Sequence, residues 1–232
     1  MFNADYMIYY AITAVMSLIG AWVSNRLQSK FKQYSEVRLR SNMSGKDVAE
    51  KMLSFYNIRD VKVVEGQGYL SDHYNPLTKT VALSPEVYQG RSVSAAAVAA
   101  HECGHAVQHD TAYAMLKLRS AIVPVVKVAS MASQFLLMFA FMLANTFPSL
   151  LLITIIAFAI TCLFSIITLP VEFDASKRAL VWLDQSGTAQ GEEYEGAKDA
   201  LKWAAMTYVS AALSSLVMLI FLILRYMGTN RE

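Results

Sequence analysis

Four long apolar runs are the feature that most restricts what this chain can fold into. A helix needs roughly 20 consecutive apolar residues to cross a bilayer, and each run approaches or exceeds that length. The runs comprise residues 6–23, 128–144, 149–169 and 207–224. Only 16% of the 232 residues are charged, whereas water-soluble domains contain roughly 25%. The sequence therefore predicts a mainly α-helical membrane protein with about four transmembrane helices.

The first apolar run resembles a retained membrane anchor more than a cleaved signal peptide. The residues before it include Asp5 and contain no Lys or Arg, whereas a signal peptide begins with basic residues. No small-residue cleavage site follows the run, because Trp22-Val-Ser-Asn-Arg26 leads directly into a basic segment. We therefore expect the run to remain as the first transmembrane helix.

The distribution of basic residues predicts the orientation in the membrane. Residues 24–41 contain five Lys or Arg and a single Glu, and the connection between the second and third runs contains no charge. Cytoplasmic loops are enriched in Lys and Arg. We therefore expect a multi-pass protein of the cell membrane with both termini outside and with residues 24–120 and 171–205 in the cytoplasm.

The segments between the runs carry weaker secondary-structure signals. Polar residues before residue 45 predict a helix start at Ser44 or Asn42. Val61–Val64 and Thr78–Leu83 are partly β-branched and flank a segment rich in Gly, Asp, Asn and Pro, which predicts a small antiparallel β pair with a broad loop. The predicted helices outside the apolar runs comprise residues 42–55, 92–119, 171–183 and 192–203.

Charge and cysteine content argue against a nucleic-acid partner and against a disulfide-stabilised fold. The formal net charge is +2, and no basic tract with interleaved aromatic residues is present, so we expect no nucleic-acid partner. Cys103 and Cys162 lie far apart in the sequence and predict no disulfide framework.

The strongest motif is His-Glu-Cys-Gly-His at residues 101–105, inside the predicted helix 92–119. Two histidines four residues apart lie on one face of a helix, about one turn from each other, so both imidazoles can bind one ion. In a metalloprotease, the glutamate at the position of Glu102 is the general base. The motif therefore predicts a zinc-dependent hydrolytic site.

A catalytic zinc ion requires a third protein ligand and an open position. His109 is eight residues from His101, which rotates it about 80° around a regular helix, and Val107 and Gln108 provide no glycine bend. Carboxylates are the better source, and Glu172 follows the third apolar run directly. The sequence favours Glu172 and leaves His109 as an alternative.

Residues 171–176 read Val-Glu-Phe-Asp-Ala-Ser, which resembles the Glu-x-x-x-Asp element of gluzincin-type zinc peptidases, including the HtpX-like membrane proteases. The chain as a whole resembles the YugP-like neutral zinc metallopeptidases of bacterial membranes. The matching segments are residues 71–76, 91–95, 99–109, 169–176 and 204–211. This resemblance implies one zinc ion per chain, with His101, His105 and Glu172 as ligands and Glu102 as general base.

One residue departs from the wider gluzincin pattern. Ser176 stands where an Asp usually supports the first histidine. We therefore expect Asp174 or a backbone carbonyl to orient His101 instead.

The reaction also needs a donor for the developing oxyanion. Among the candidates His73, Tyr74, Arg178 and Tyr208, the sequence favours His73. Residues 78–83 are a candidate edge strand to which an extended substrate adds.

The leading hypothesis is a membrane-bound zinc endopeptidase that cleaves protein or peptide substrates, membrane proteins among them, at the cytoplasmic membrane face. A single membrane-embedded peptidase unit would then span residues 1–232, in contact with the lipid bilayer. A homo-oligomer or a regulatory membrane partner is left open. The competing hypotheses are a zinc-containing scaffold, which the presence of Glu102 disfavours, and a metal transporter, which the near absence of charges inside the apolar runs disfavours.

Overall fold

The computed structural model describes residues 4–68, 71–142 and 147–229. In this part of the chain, seven helices and three short strands follow one another. They are α1 (Ala4–Ser35), α2 (Gly45–Phe55), β1 (Lys62–Glu65), β2 (His73–Asn75), β3 (Thr80–Leu83), α3 (Pro85–Tyr88), α4 (Val93–Asp110), α5 (Ala114–Met142), α6 (Pro148–Gln185) and α7 (Glu192–Thr229).

The helices α1, α5, α6 and α7 are each long and apolar enough to cross a membrane. Many of their large apolar side chains are exposed: Leu18, Val128 and Phe135 have 70%, 69% and 65% of their surface accessible. Large exposed apolar surfaces mark contact with a membrane or a partner, and helices of this length and hydropathy can cross a membrane. The prediction of a mainly helical membrane protein with four spans is therefore confirmed. Of the predicted connection at residues 145–148, residues 145 and 146 lie outside the described residues, and α6 begins at Pro148.

The chain divides into two compact units. Unit 1 contains the residues up to Val23, Leu118–Leu169 and the residues from Thr207. Unit 2 contains Ser24–Lys117 and Pro170–Met206. These boundaries lie close to those that the hydropathy and charge patterns assigned to the membrane and the cytoplasm.

Helix α6 contributes residues to both units and is longer than the sequence predicted. The expectation of a separate helix beginning at residue 171 is wrong, because one helix runs from Pro148 to Gln185 with Pro170 in its interior. Proline removes one backbone donor and disfavours a helix interior in water. Helices that enter a membrane tolerate proline, because neighbouring groups satisfy the freed carbonyl.

The small sheet in unit 2 has three strands in the order β1-β3-β2. The predicted antiparallel pairing of residues 61–64 with 78–83 is wrong, because β1 lies parallel to β3. The antiparallel partner of β3 is β2, in the segment predicted as a loop. The Asn75 side chain accepts hydrogen bonds from the backbone N–H groups of Leu77 and Thr78 and so closes the tight turn between these two strands.

Helix α4 begins at a capped turn and is surrounded by the core of unit 2. The Ser92 side chain accepts a hydrogen bond from the backbone N–H of Ala95, which is a favourable N-cap. The alanine-rich face of α4 packs with α2, β3, α6 and α7 in one buried cluster, which contains Trp182 and Leu201 among others. This packing holds the His-Glu-Cys-Gly-His motif on a rigid element.

The predicted helix 92–119 is interrupted, since α4 ends at Asp110 and α5 begins at Ala114. Ala112 has a φ of 55°. The N–H of Ala112 donates to the carbonyl of His109, and the N–H of Tyr113 donates to the carbonyl of Gln108. These two bonds form a Schellman motif, which ends a helix with a left-handed residue. Glycine usually occupies that position, so an alanine there gave no sequence signal for the break.

Replacing Ala112 by glycine is expected to stabilise the protein by about 0.5–1 kcal/mol. Glycine removes the left-handed strain of alanine, roughly 1–2 kcal/mol, and loses part of that gain through its greater backbone entropy. Thermal unfolding of the detergent-purified chain measures the change. The control is Ala121→Gly, at an exposed position inside α5, which is expected to lose about 1 kcal/mol. If Ala112→Gly lost as much stability as Ala121→Gly, the assigned cap would be contradicted.

Candidate metal centre

Helices α4 and α6 bring three potential metal ligands together inside unit 2. The Nε2 atoms of His101 and His105 lie 3.3 and 3.6 Å from Oε2 of Glu172. All three ligand atoms lie within 4.8 Å of one another. Glu172 is 2% exposed. The residues come from positions about 70 apart in the sequence, so their convergence depends on the packing of α4 against α6.

The donor set and its spacing fit a zinc ion. Two imidazole nitrogens and one carboxylate oxygen are typical of catalytic zinc sites. Ligands bound at about 2.0–2.1 Å in a tetrahedral geometry are separated by about 3.3 Å, close to the two nitrogen–oxygen distances given above. Since three protein atoms occupy three positions, a fourth position remains for water or substrate.

The electrostatics of this cluster favour a cation. Burial lowers the pKa of His105, but the hydrogen bond to Glu172 and the charge of Glu102 outweigh burial, so the pKa lies above its ordinary value. A raised histidine pKa indicates a negative potential at the ring. Glu102 is itself nearly buried, and within the described part of the chain its carboxylate accepts no hydrogen bond from another residue.

The Nδ1 atom of His101 lies 3.1 Å from Oγ of Ser176. We expected Asp174 or a backbone carbonyl at this place because Ser176 replaces the usual Asp. That expectation is wrong, since the serine hydroxyl itself makes the contact. A hydroxyl both donates and accepts, so it can accept a hydrogen bond from Nδ1–H of His101. In the neutral ring, Nε2 then keeps its lone pair on the side of Glu172.

The Nδ1 atom of His105 has a different partner, the completely buried Gln108. Its Oε1 atom lies 3.0 Å from that ring nitrogen. From the sequence, Gln108 was interpreted only as a residue that does not bend the helix. Its spacing of three residues from His105, which puts both on one helix face, was the signal that could have identified it.

His109, the alternative third ligand, is not part of the cluster. Its Nδ1 atom lies 2.7 Å from the hydroxyl oxygen of Tyr74 on β2. Burial, together with the charges of Asp60 and Asp110, raises the pKa of Tyr74 to about 12. The hydroxyl therefore keeps its proton at neutral pH and can donate a hydrogen bond to Nδ1 of His109, which connects β2 to the end of α4.

His73, the predicted oxyanion donor, is exposed on β2, and its Nδ1–H donates to the carbonyl of Ser71 at 2.7 Å. Successive side chains on a strand point to opposite faces, so His73 faces away from the side on which Tyr74 contacts α4. Its role in catalysis stays a prediction. Another candidate donor, Arg178, is paired with Asp174, with 2.6 Å between Nε and Oδ2.

The two ligand-bearing helices approach closely at Gly104. A Cβ atom at this position would lie 2.5 Å from the carbonyl oxygen of Ala175, which is shorter than any non-bonded contact allows. Residue 104 must therefore be glycine for α6 to lie where it does. The glycine of the motif thus has a packing role.

Comparison with known proteins identifies the family. The family model described as "putative neutral zinc metallopeptidase" matches residues 9–227, which include the three cluster residues and Glu102. The chain belongs to this family. A relative from Bacillus subtilis (strain 168), described as "putative membrane protease YugP", is 37% identical over 226 residues, or 97% of this chain and 100% of the relative. No solved structure matches the chain.

The resemblance that the sequence motifs indicated is therefore confirmed over nearly the whole chain. The predicted enzyme class, zinc metallopeptidase, is the class of the family. The four apolar helices agree with the membrane location in the relative's description.

Proposed function

We propose that this protein is a membrane-bound, zinc-dependent endopeptidase with one zinc ion per chain, held by His101, His105 and Glu172. The observation that carries this proposal is the convergence of two imidazole nitrogens on one buried carboxylate oxygen, 3.3 and 3.6 Å away. Family membership supports the choice of zinc and of peptide-bond hydrolysis.

The side chains have distinct roles in the proposed reaction. Bound zinc would supply Lewis acidity, which polarises a carbonyl group and makes a water molecule more acidic. Ser176 and Gln108 hold the Nδ1 sides of the two histidines, so that both Nε2 atoms face Glu172. The nearly buried Glu102 accepts the proton of the attacking water and later transfers it to the leaving amine.

An edge of the sheet is the proposed binding place for an extended substrate. We expected residues 78–83 to provide it, but β3 is paired on both sides and cannot accept a further strand. Strand β2 lies at the edge and contacts α4 through Tyr74 and His109. A peptide that adds to β2 would use backbone hydrogen bonds, which suits protein and peptide substrates, membrane proteins included.

We further propose that the site faces the cytoplasm. The basic residues that follow the first span, Arg26, Lys30 and Lys32, all lie on the part of α1 that belongs to unit 2. All residues of the proposed site also belong to unit 2. Because cytoplasmic segments are enriched in Lys and Arg, this grouping supports a cytoplasmic active site in a multi-pass membrane protein.

Metal content of the detergent-purified protein tests the proposal. Wild type is expected to contain about one zinc per chain, and Glu172→Ala is expected to lose most of it because the third ligand is gone. Cleavage of casein or of a membrane protein is assayed in parallel and is expected in wild type alone.

Each outcome of this comparison has a definite meaning. Undiminished zinc in Glu172→Ala would show that another residue, such as His109, completes the site, and the ligand assignment would then be withdrawn. Zinc in wild type without any cleavage would favour the scaffold hypothesis over the peptidase.

A further inference from the structure

Gln108 is fully buried beside the metal cluster, and its amide makes three hydrogen bonds. Oε1 lies 3.0 Å from Nδ1 of His105, and Nε2 lies 2.8 Å both from the carbonyl oxygen of Val171 and from Oδ2 of Asp174. A buried amide is costly unless its polar atoms are paired. Here both N–H groups and the oxygen have partners, so the side chain can occupy the core.

These partners determine which way the amide points. A carbonyl oxygen and an ionised carboxylate only accept hydrogen bonds, so the NH₂ group of Gln108 must face Val171 and Asp174. Nε of Arg178 donates to the same Asp174 oxygen at 2.6 Å and holds the side chain in place. The oxygen of Gln108 is therefore left to face His105.

The amide orientation in turn determines the tautomer of His105. An amide oxygen can only accept, so Nδ1 of His105 carries a proton, and in the neutral imidazole Nε2 then keeps the lone pair. Nε2 is the atom that faces Glu172, at 3.6 Å from Oε2. The ring is thus held in the form that binds a metal through Nε2.

Gln108 also joins the two helices that carry the ligands. Val171 and Asp174 flank Glu172 on α6, whereas Gln108 and His105 lie on α4. One side chain therefore contacts both the ring of one ligand and the helical turn that carries another. Its loss would free the ring and the turn together.

We infer that Gln108 is a positioning residue of the metal centre, which fixes the tautomer of His105 and the place of the Glu172 turn through Val171 and Asp174. This inference rests on the proposed function, in which His105 and Glu172 bind zinc. Gln108 is not one of the three cluster residues and acts through His105 and the turn that carries Glu172.

The test compares the zinc affinity of Gln108→Met with that of wild type, by competition with a chromophoric chelator on the detergent-purified full chain. Methionine keeps the length of the side chain and removes its hydrogen bonds. Loss of such an outer partner is expected to weaken zinc binding by about 10–100-fold. The control Val107→Ala creates a small cavity at the neighbouring buried residue of α4. It is expected to keep the wild-type zinc affinity and the wild-type visible spectrum of the cobalt-substituted protein. Gln108→Met is expected to shift that spectrum.

A second variant tests the network from its outer end, where the fold is less sensitive. The Asp174 side chain is 26% exposed, and Asp174→Ala removes one of the two acceptors that orient Gln108. It is expected to weaken zinc binding less than Gln108→Met, and the double variant is expected to be no weaker than Gln108→Met, because both changes break one network. Arg178→Met, which breaks the Asp174–Arg178 pair alone, is the matched control. Its zinc affinity should fall less than that of Asp174→Ala.

The outcomes separate this inference from the proposed function. Zinc in wild type together with an affinity of Gln108→Met within about twofold of Val107→Ala would overturn the role of Gln108 and leave the proposed function intact. If Gln108→Met does not fold, wild-type affinity in Asp174→Ala would overturn it equally. A wild-type chain that binds no zinc would overturn both.

Discussion

Replacing Glu102 by glutamine is expected to lower peptide cleavage by about 100–10,000-fold, the range that a positioned general base contributes, while the zinc content stays at the wild-type level. The amide has nearly the shape of the carboxylate but cannot accept a proton from water. Glu102 is not one of the three cluster residues, so the change removes no metal ligand. Although Glu102 is only 9% exposed, the isosteric change is a small perturbation of packing.

Turnover of casein or of a detergent-solubilised membrane protein, together with zinc content from the same preparation, measures this effect. The matched control is Glu50→Gln on α2, where an exposed glutamate pairs with Lys46 at 3.6 Å. That exposed pair contributes little to stability, so peptide cleavage by Glu50→Gln should stay at the wild-type level. More than a tenth of wild-type activity in Glu102→Gln would mean that a different group accepts the proton.

Replacing Gly104 by alanine is the second change with a large expected effect. The added Cβ atom would lie 2.5 Å from the carbonyl oxygen of Ala175 and 3.1 Å from its carbonyl carbon. Both contacts are with backbone, which cannot rotate away, so α4 and α6 must separate. Overpacking of this kind costs about 1–3 kcal/mol, and the separation moves Glu172 away from His101 and His105.

We therefore expect Gly104→Ala to lower both thermal stability and zinc affinity, the latter by at least about tenfold, since outer contacts alone contribute that much. Gly20→Ala is the control, because a Cβ atom at Gly20 meets nothing within 4 Å. Alanine there should be neutral or stabilising by up to about 1 kcal/mol. Wild-type zinc affinity in Gly104→Ala would show that the helices do not need this close approach.

Local patterns predicted the features that depend on neighbouring residues. Run length identified the four helices that can cross a membrane, and the helical spacing of His101 and His105 placed both rings on one face of α4. The residues around the start of α2 predicted Ser44 or Asn42 as its cap, and Ser44 is the capping residue. In each case the signal lies within one or a few turns of chain, so tertiary packing is not needed to read it.

The choice of Glu172 over His109 combined two kinds of argument. Helical rotation disfavoured His109, and the resemblance of residues 171–176 to a known element favoured Glu172. The structure brings Glu172 to the two histidines and places His109 against Tyr74. The metal content of Glu172→Ala tests whether Glu172 is a zinc ligand.

The incorrect predictions concern pairings and ends of elements. The left-handed Ala112 ends α4 although alanine is the best helix former. Residues 73–75 were predicted as loop, but they form β2 because β3 provides a partner. A three-residue strand has too little pattern of its own, and the partner that stabilises it is not visible in its sequence.

The sequence by itself determined that the chain is a helical membrane protein and that His101, Glu102 and His105 lie together on one helix, because run length and helical period act over neighbouring residues. Only the tertiary structure decided how that helix meets the second one. The approach of Gly104 to Ala175, the contact of Ser176 with His101, and the link from His105 through Gln108 to Asp174 all join residues more than 60 positions apart. Contacts of this kind depend on how two helices pack, since side-chain reach and backbone approach are set by the separation and rotation of the helices in space.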